Sequence, residues 1–244
     1  MVGPSLARAD PQGISTNVPV QLDDAFPSVG FGETQLQFDG RYTLDPHDSN
    51  GRDLVGAGPT LKVGALPHLQ LSFNPGYNLG NQGAADGGSA SASAMWAVRG
   101  DSRWVPAIAL SGSYATPYGS GHKSAEWSYS LAATKYLGTG KASPRLDLNL
   151  NWTHVTQPAA SDRPDQFEIG VGASCLLSPA TALVVDVFHG ARPQRGQNQT
   201  FIDAGVIWEI DPSTSLGLGA GAGIGEQSPA LRVFFAVQRD VKLF

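Results

Sequence analysis

Alternation of apolar and polar residues with a period of two recurs along this chain. A clear example runs from Arg145 to Trp152. Its apolar residues share one face of an extended strand: Leu146, Leu148, Leu150 and Trp152. Its polar residues share the other face: Asp147, Asn149 and Asn151. This period is typical of a β-strand with one apolar and one polar side.

The polar faces of these segments carry formal charges, which distinguishes two kinds of barrel. A soluble barrel buries its apolar face, whereas a membrane barrel turns it toward lipid and keeps polar residues in an aqueous lumen. About twelve such segments follow one another, each near the length that a tilted transmembrane strand needs. Charged residues make up only 15% of the chain, below the roughly 25% of soluble domains. We predict an all-β fold, a transmembrane up-and-down antiparallel β-barrel.

The predicted connections alternate in length. The links after odd-numbered strands are mostly long: Asp45–Pro59, Tyr77–Ala90, Thr116–Ala125, Gln157–Asp165 and Gly190–Gln199. The links after even-numbered strands are shorter: Leu66-Pro67, Gly100–Trp104, Gly138–Pro144, Ser178–Thr181 and Asp211–Thr214. Only Glu226–Pro229 breaks the alternation. Long external loops and short periplasmic turns are typical of outer-membrane barrels.

The N-terminal residues precede the alternation. Residues 4–10 resemble the end of a secretory signal peptide, although the charged and apolar regions that should precede it are missing. An ordinary Ala-rich tail is the alternative. Residues 10–32 lack a clear period and predict an extended segment, in the periplasm or inside the lumen. We therefore predict a signal-peptide remnant at 1–9, an N-terminal segment at 10–32 and the barrel at 33–244.

The polar faces of the predicted strands define a candidate lumen and constriction. Its residues are Asp39, Arg41, Lys62, Arg99, Asp147, Asn149, Asn151, Glu168, Asp186, Asp203, Glu209 and Arg232. Charges inside a narrow barrel must be paired or hydrated. They form either a constriction that selects solutes or a salt-bridged plug in a closed barrel. A barrel of this size is narrower than the large porins, so an open channel does not follow from strand number.

Six aromatic residues share the outward face of the predicted strands. They are Trp96, Trp127, Tyr129, Trp152, Trp208 and Phe235. In a membrane barrel such residues form a girdle at the interface with water. The alternative is the aromatic core of a soluble barrel, which would leave the charged face covering the whole outside.

Three parts of the chain resemble one group of known proteins. They are residues 18–27 with 30–37, residues 119–122 with 129–137 and 145–152, and residues 205–209 with 216–225 and 228–229. These segments resemble outer-membrane β-barrels of a transporter family of the phenol meta-cleavage degradation pathway. The resemblance covers most of residues 18–237. It implies a barrel in the bacterial outer membrane and passage of small hydrophobic or aromatic compounds.

The last residue, Phe244, matches the terminal aromatic residue through which such barrels engage the barrel-assembly machinery. The alternation through Phe235 and Val237 places Phe244 out of phase. We therefore expect an irregular assembly signal or a bulge after the last strand.

Other binding and catalytic functions find little support. The net charge of −5 gives no basic footprint for nucleic acid. The glycine ladder 217–225 lies within a predicted strand with no helix after it, unlike a phosphate-binding loop. A calcium loop with Gly51 at its sixth position would begin at Pro46, so Asp45–Asp53 is interpreted as a solvated turn. We expect no metal and no cofactor.

Catalysis by an outer-membrane lipid hydrolase would require a serine near a histidine and an orienting group. His154 shares the outward face of Trp152, and the threonines beside it are not an evident nucleophile. His122 and Ser124 lie two residues apart in a loop, and histidines at the rim of a barrel are usually interfacial polar groups. We assign no catalytic residue and predict that the protein is not an enzyme.

The sequence thus favours a Gram-negative outer-membrane barrel for passive, porin-like uptake of small molecules. The expected partners are the outer-membrane lipid bilayer, the assembly machinery and a small-molecule solute, and no nucleic acid. A closed structural or adhesive barrel is the alternative, followed by a lipid-modifying enzyme.

Overall fold

The structure is a computed structural model that describes residues 22–44, 54–79, 87–119, 124–138 and 143–241. Its strands, in chain order, are β1 (Thr34–Leu44), β2 (Leu54–Leu66), β3 (Leu69–Leu79), β4 (Gly87–Arg99), β5 (Ala107–Gly119), β6 (Glu126–Tyr136), β7 (Arg145–Val155), β8 (Asp165–Ser178), β9 (Thr181–Ala191), β10 (Asn198–Asp211), β11 (Thr214–Ile224) and β12 (Leu231–Val241). Among these described residues, no helix is long and apolar enough to cross a membrane.

Consecutive strands pair antiparallel, and β12 returns to pair with β1. The closing pair runs in register from Thr34 opposite Val241 to Leu44 opposite Leu231. Because the sheet closes on itself, no edge strand is left unpaired, so the backbone is satisfied without water. The prediction of an up-and-down antiparallel barrel is confirmed.

The two faces of the barrel wall have opposite character. On β7, Leu148 and Leu150 are exposed outside, whereas Asp147 and Asn149 are buried inside. The exposed apolar side chains continue around the wall, among them Leu36, Phe38, Leu61, Leu71, Phe73, Ile169, Val187, Ile202, Leu218 and Val233. Soluble monomers rarely expose an apolar surface this continuous. The apolar face of the alternation therefore points outward, toward lipid. The alternative prediction, in which the aromatic residues form the core of a soluble barrel, is wrong.

The connections alternate in length less regularly than predicted. We call the end of the barrel that carries Thr34 and Val241 the turn end, and the opposite end the loop end. Residues 67–68, 179–180 and 212–213 are two-residue turns at the turn end, but 100–106 and 137–144 are longer. At the loop end, β4 and β5 extend through small residues that pair Gly87 with Gly119. Ladder pairing continues there because it needs only the backbone, not an apolar face.

One stretch of the β2–β3 wall lacks ladder pairs. Pairing stops after Ala57 opposite Tyr77 and resumes at Leu61 opposite Phe73, and a proline stands in the gap on each strand. Proline has no amide hydrogen to donate. Side chains compensate: the Tyr118 hydroxyl donates to the Gly76 carbonyl at 2.7 Å, and the Asn74 amide donates to the Thr60 hydroxyl at 2.5 Å. The tyrosine passes Gly88, where an added Cβ would meet its ring.

A charge on the outer face should destabilise the barrel more than the same charge on the inner face. Leu150→Arg places a guanidinium against lipid near the middle of β7, whereas Ser130→Arg, on neighbouring β6, places it in the lumen. We expect Leu150→Arg to lower the unfolding free energy by about 2–4 kcal/mol and Ser130→Arg by less than about 1 kcal/mol. Urea titration in lipid vesicles measures both values. Equal losses would contradict the assignment of the two faces.

Candidate functional site: the barrel lumen

The N-terminal segment Leu22–Gly30 lies inside the barrel and fills part of the lumen. It forms no strand, and its backbone bonds to inward-facing side chains. The Asp23 amide donates to Asn149 Oδ1 at 2.7 Å, while the Asn149 amide donates back to the Asp23 carbonyl at 2.7 Å. Four strands away, on β3, the Ser28 amide donates to Gln70 Oε1 at 2.8 Å. Of the two positions left open for this segment, residues 22–30 take the one in the lumen.

Arg145 connects the segment to the wall through two carboxylates. Its Nη1 lies 3.2 Å from Asp24 Oδ2, and its Nε lies 2.9 Å from Asp147 Oδ2. The Thr134 hydroxyl donates to Asp147 Oδ1 at 2.6 Å and accepts from the Ala25 amide at 2.8 Å. The Arg145, Asp24 and Asp147 side chains are almost fully buried, so removal of either carboxylate partner would leave buried charge uncompensated. We call Arg145, Asp24, Asp147 and Thr134 the latch.

Apolar contacts support the latch at the turn end. Phe26 packs against Tyr136 with ring centroids 6.0 Å apart. These two rings belong to a buried cluster with Ala25, Met95, Ala107, Ala109 and Ala132. Farther along, Leu22 fits against Gly170 and Gly172 of β8, where an added Cβ would collide with its side chain. The small lumen residues of β5 and β8 therefore receive the segment rather than leave open space beside it.

A cavity of about 810 Å³ lies toward the loop end. It spans neighbouring strands from β5 to the start of β10 and is lined from both faces of the wall, with outward-facing Leu110, Tyr129 and Phe167 among its residues. Its inward-facing lining includes Ser111, Ser130, Asn151 and Glu168. Asn151 hydrogen-bonds Glu168, which places an acidic group on this wall. Within the described residues, the turn-end part of the lumen is filled by Leu22–Gly30, and the inner face toward the loop end carries polar groups such as Asn151 and Glu168.

A second ion pair joins Asp203 and Arg232 across β11. Arg232 Nε donates to Asp203 Oδ1 at 2.9 Å, and its Nη2 donates to Asp203 Oδ2. The guanidinium also lies 3.6 Å from the ring centroid of Phe201. Gly221 stands between the two strands, and an added Cβ there would collide with the carboxylate. One glycine of the ladder therefore makes room for this bidentate pair.

Most predicted lumen residues lie on the inner face. Lys62, Asp147 and Asn149 surround the N-terminal segment, Asp203 pairs with Arg232, and Asn151 with Glu168 lines the cavity. Asp39, Arg41 and Asp186 face inward on β1 and β9, and Glu209 is half-buried at the turn end of β10. A common constriction formed by these twelve residues stays a prediction.

Arg99 corrects the predicted set. A register shift between Ala97 and Arg99 interrupts the alternation at the end of β4. The Arg99 side chain is exposed, and its guanidinium lies 3.4 Å from the Ser102 hydroxyl in the following connection. It therefore lies at the rim of the turn end, outside the lumen.

Several important lumen residues escaped the sequence analysis. Arg145 shares the face of Asp147, and extending that alternation by one step would have identified it. Phe201 and Phe188 are fully buried and lie two residues from Asp203 and Asp186, so the same alternation carried a signal for them. The residues of the N-terminal segment that contact the wall, such as Asp24, could not be identified in this way, because the segment lacks an alternation of apolar and polar residues.

The predicted interfacial aromatics lie on the outer face. Trp96, Trp127, Tyr129, Trp208 and Phe235 are exposed, and Trp152 stacks on Tyr129 with centroids 5.6 Å apart. Phe235 covers Gly40 of β1, where an added Cβ would collide with the ring. Phe244 lies outside the described residues, so its role in assembly stays a prediction.

Of the two histidines in the enzyme hypothesis, His154 is described and lies outside the lumen network. On the outer face, His154 Nδ1 lies 2.9 Å from Asp165 Oδ1, which also accepts from the Trp152 indole at 3.1 Å. His122 and the proposed metal turn Asp45–Asp53 lie outside the described residues. In the described part of the chain, no group of three or more His, Cys, Asp or Glu side chains is arranged to hold a metal ion.

Comparison with known proteins gives structural matches without sequence matches. No protein-family model and no curated protein matches the chain. It is similar to the COG4313 outer membrane channel from Pseudomonas putida F1, with a TM-score of 0.65 and 12% identity over 91% of this chain and 100% of that chain. It is also similar to NanC porin (TM-score 0.60, 8% identity, 84% and 100%) and KdgM porin (0.56, 8%, 83% and 98%). At these identities the likeness shows the shared barrel fold.

The Asp203–Arg232 pair should depend on the absence of a side chain at position 221. Gly221→Ala displaces the carboxylate and leaves a buried guanidinium poorly compensated, so we expect a loss of about 3–5 kcal/mol in unfolding free energy. Gly112→Ala is the matched control, because an added Cβ there meets only ordinary contacts with Tyr129 at 3.7 Å. Urea titration of both variants measures the difference, and equal stability would refute the fitted role of Gly221.

The latch should hold the N-terminal segment in place. In a Cys175→Ser chain, Ala25→Cys introduces a buried thiol whose reaction rate reports movement of the segment. Asp24→Asn weakens the bond to Arg145, and we expect labelling to accelerate by more than about tenfold. Asp165→Asn, on the outer face, is the control and should leave the rate unchanged. An unchanged rate in Asp24→Asn would show that the segment is held by other contacts.

Proposed function

We propose that this protein is a bacterial outer-membrane channel for passive uptake of small hydrophobic or aromatic molecules. The observation that carries the proposal is the non-strand segment Leu22–Gly30, which lies in the lumen and is held there by side chains, with a cavity of about 810 Å³ at the wall from β5 to β10. A segment outside the ladder can leave the lumen without breaking the barrel. Passage then requires displacement of Leu22–Gly30, and the latch is what resists it.

The chemistry of the lumen supports a solute with apolar surface. Phe188 and Phe201 are inward-facing and buried, and Phe234 is half-buried on the inner face of β12. Two lumen arginines are compensated by carboxylates, Arg145 by Asp24 and Asp147 and Arg232 by Asp203. The similarity to the outer membrane channel and to the two porins supports transport as the general role, and the resemblance to the degradation-pathway transporters supports the aromatic class.

In the proposed orientation, the turn end faces the periplasm and the loop end faces outside. The barrel is embedded in the outer-membrane bilayer by its apolar outer face, and the assembly machinery engages the strand that ends at Phe244. A signal peptide that ends near Ala9 directs the chain there. The aromatic residues of the outer face anchor the barrel at the lipid interfaces.

A closed structural or adhesive barrel is the second candidate. The buried segment favours it, because the turn-end part of the lumen is filled in the structure. The enzyme hypothesis has less support, because His154 contacts Asp165 and Trp152 but no serine among the described residues.

Single-channel recording in planar bilayers distinguishes the two barrel functions. We expect stable current steps whose cation preference falls in Glu168→Gln, because that change removes a lumen carboxylate from the cavity wall. Asp165→Asn removes a carboxylate from the outer face and should leave selectivity unchanged. A folded, inserted but silent barrel would contradict the channel and support the closed barrel.

A further inference from the structure

The lumen wall formed by β1 and β12 carries an arginine, Arg41, that has no ion-pair partner among the described residues. Arg41 faces inward, and its side chain is exposed. Its charged neighbours are Arg232 and Asp39, and the Asp39 carboxylate accepts from the Gln37 amide at 3.3 Å. No carboxylate in the described part of the chain forms an ion pair with Arg41. Arg145 and Arg232, by contrast, are buried and each contacts a carboxylate.

Phe234 stands directly beside this arginine. The closing register places Arg41 of β1 opposite Phe234 of β12, and both face the lumen. Side chains directly opposite in an antiparallel pair lie about 5 Å apart at Cβ, so a guanidinium and a ring share one spot of the wall. Phe234 is half-buried and is also contacted by the Arg232 guanidinium, 5.2 Å from the ring centroid.

The wall on both sides of this pair consists of glycine. Arg41 lies opposite Gly56 of β2, and Phe234 lies opposite Gly219 of β11, which is opposite Gly205 of β10. The Asn78 side chain lies against Gly56, where an added Cβ would stand 2.8 Å from its Oδ1, and Arg232 contacts the Phe234 ring. The row therefore presents one guanidinium and one aromatic ring beside Gly219 and Gly205, which carry no side chain.

We propose that Arg41 and Phe234 form a binding subsite for small aromatic carboxylates. The carboxylate accepts two hydrogen bonds from the Arg41 guanidinium, the geometry that arginine favours for this group. The aromatic body packs against Phe234. The inference rests on the proposed uptake function and narrows its substrate class from hydrophobic molecules in general to anions with an apolar ring.

The subsite is distinct from the ion pairs that hold the lumen together. Arg232 already shares both oxygens of Asp203 and stacks on Phe201, so an incoming anion would compete with a buried partner. Arg145 holds two carboxylates. In the described ranges of the chain no carboxylate pairs with Arg41, which is why the anion is assigned to it.

Calorimetric titration of the detergent-folded full-length protein with benzoate tests the subsite. We expect benzoate to bind about tenfold more tightly than benzyl alcohol, which keeps the ring, and than acetate, which keeps the charge. Arg41→Gln should weaken benzoate about tenfold and leave benzyl alcohol unchanged. Arg239→Gln, on the outer face of β12, is the matched control and should change neither value.

Two further variants keep the test decisive. Arg41→Lys keeps the charge but loses the planar fork, so it should bind benzoate more weakly than the native chain and more tightly than Arg41→Gln. It replaces Arg41→Gln if that variant does not fold. Phe234→Leu should weaken benzoate but not acetate. The proposal would be overturned if the native chain and the Arg41→Gln or Arg41→Lys variant bound benzoate equally. It would also be overturned if the native chain bound benzoate and benzyl alcohol equally.

Binding and transport can fail separately. Calorimetry needs no membrane, whereas flux of benzoate into proteoliposomes tests uptake. Binding that depends on Arg41 without flux would contradict the uptake function and leave the subsite intact. Flux without dependence of binding on Arg41 would contradict the subsite and leave the channel intact.

Discussion

Closure of the hydrogen-bonded ladder is the constraint on which the rest of this molecule depends. A wall that meets lipid must satisfy its backbone internally, and here β12 achieves this by pairing with β1 along their full length. Once the apolar side chains face outward, every polar side chain of the alternation is directed into one narrow interior. The interior must then neutralise its own charges, because water reaches only part of it.

The structure meets this requirement with local pairs rather than one continuous network. Arg145 takes Asp24 from the N-terminal segment and Asp147 from its own strand, while Arg232 takes Asp203 across a glycine. The first arrangement makes the segment part of the charge balance of the barrel. The same contacts that stabilise the lumen also hold Leu22–Gly30 inside it, and under the proposed function a solute passes only when the latch opens. The gap in β2–β3 pairing, where Pro59 and Pro75 stand, shows a similar compensation. There, side-chain hydrogen bonds replace the missing ladder bonds.

The alternation of apolar and polar residues predicted the strands and the faces of most side chains. It did not predict features that depend on contacts between distant parts of the chain. Strands such as β7 and β10 follow directly from the alternation, and so does the inward position of Asp203. Arg99 was misplaced because a bulge changes the face of a strand without changing its sequence pattern. The position of residues 22–30 was left open because their amides bond to side chains on β3, β6 and β7. Those partners are brought together only by closure of the barrel.

The central claim is that solutes pass through a lumen from which the N-terminal segment must first move. The Ala25 amide lies 2.8 Å from the Thr134 hydroxyl, so these two positions are close enough to bridge. The direct measurement is the single-channel current of the Ala25→Cys, Thr134→Cys, Cys175→Ser chain before and after reduction. The account predicts that the oxidised barrel is silent and that reduction restores current. Equal current in both states would contradict it.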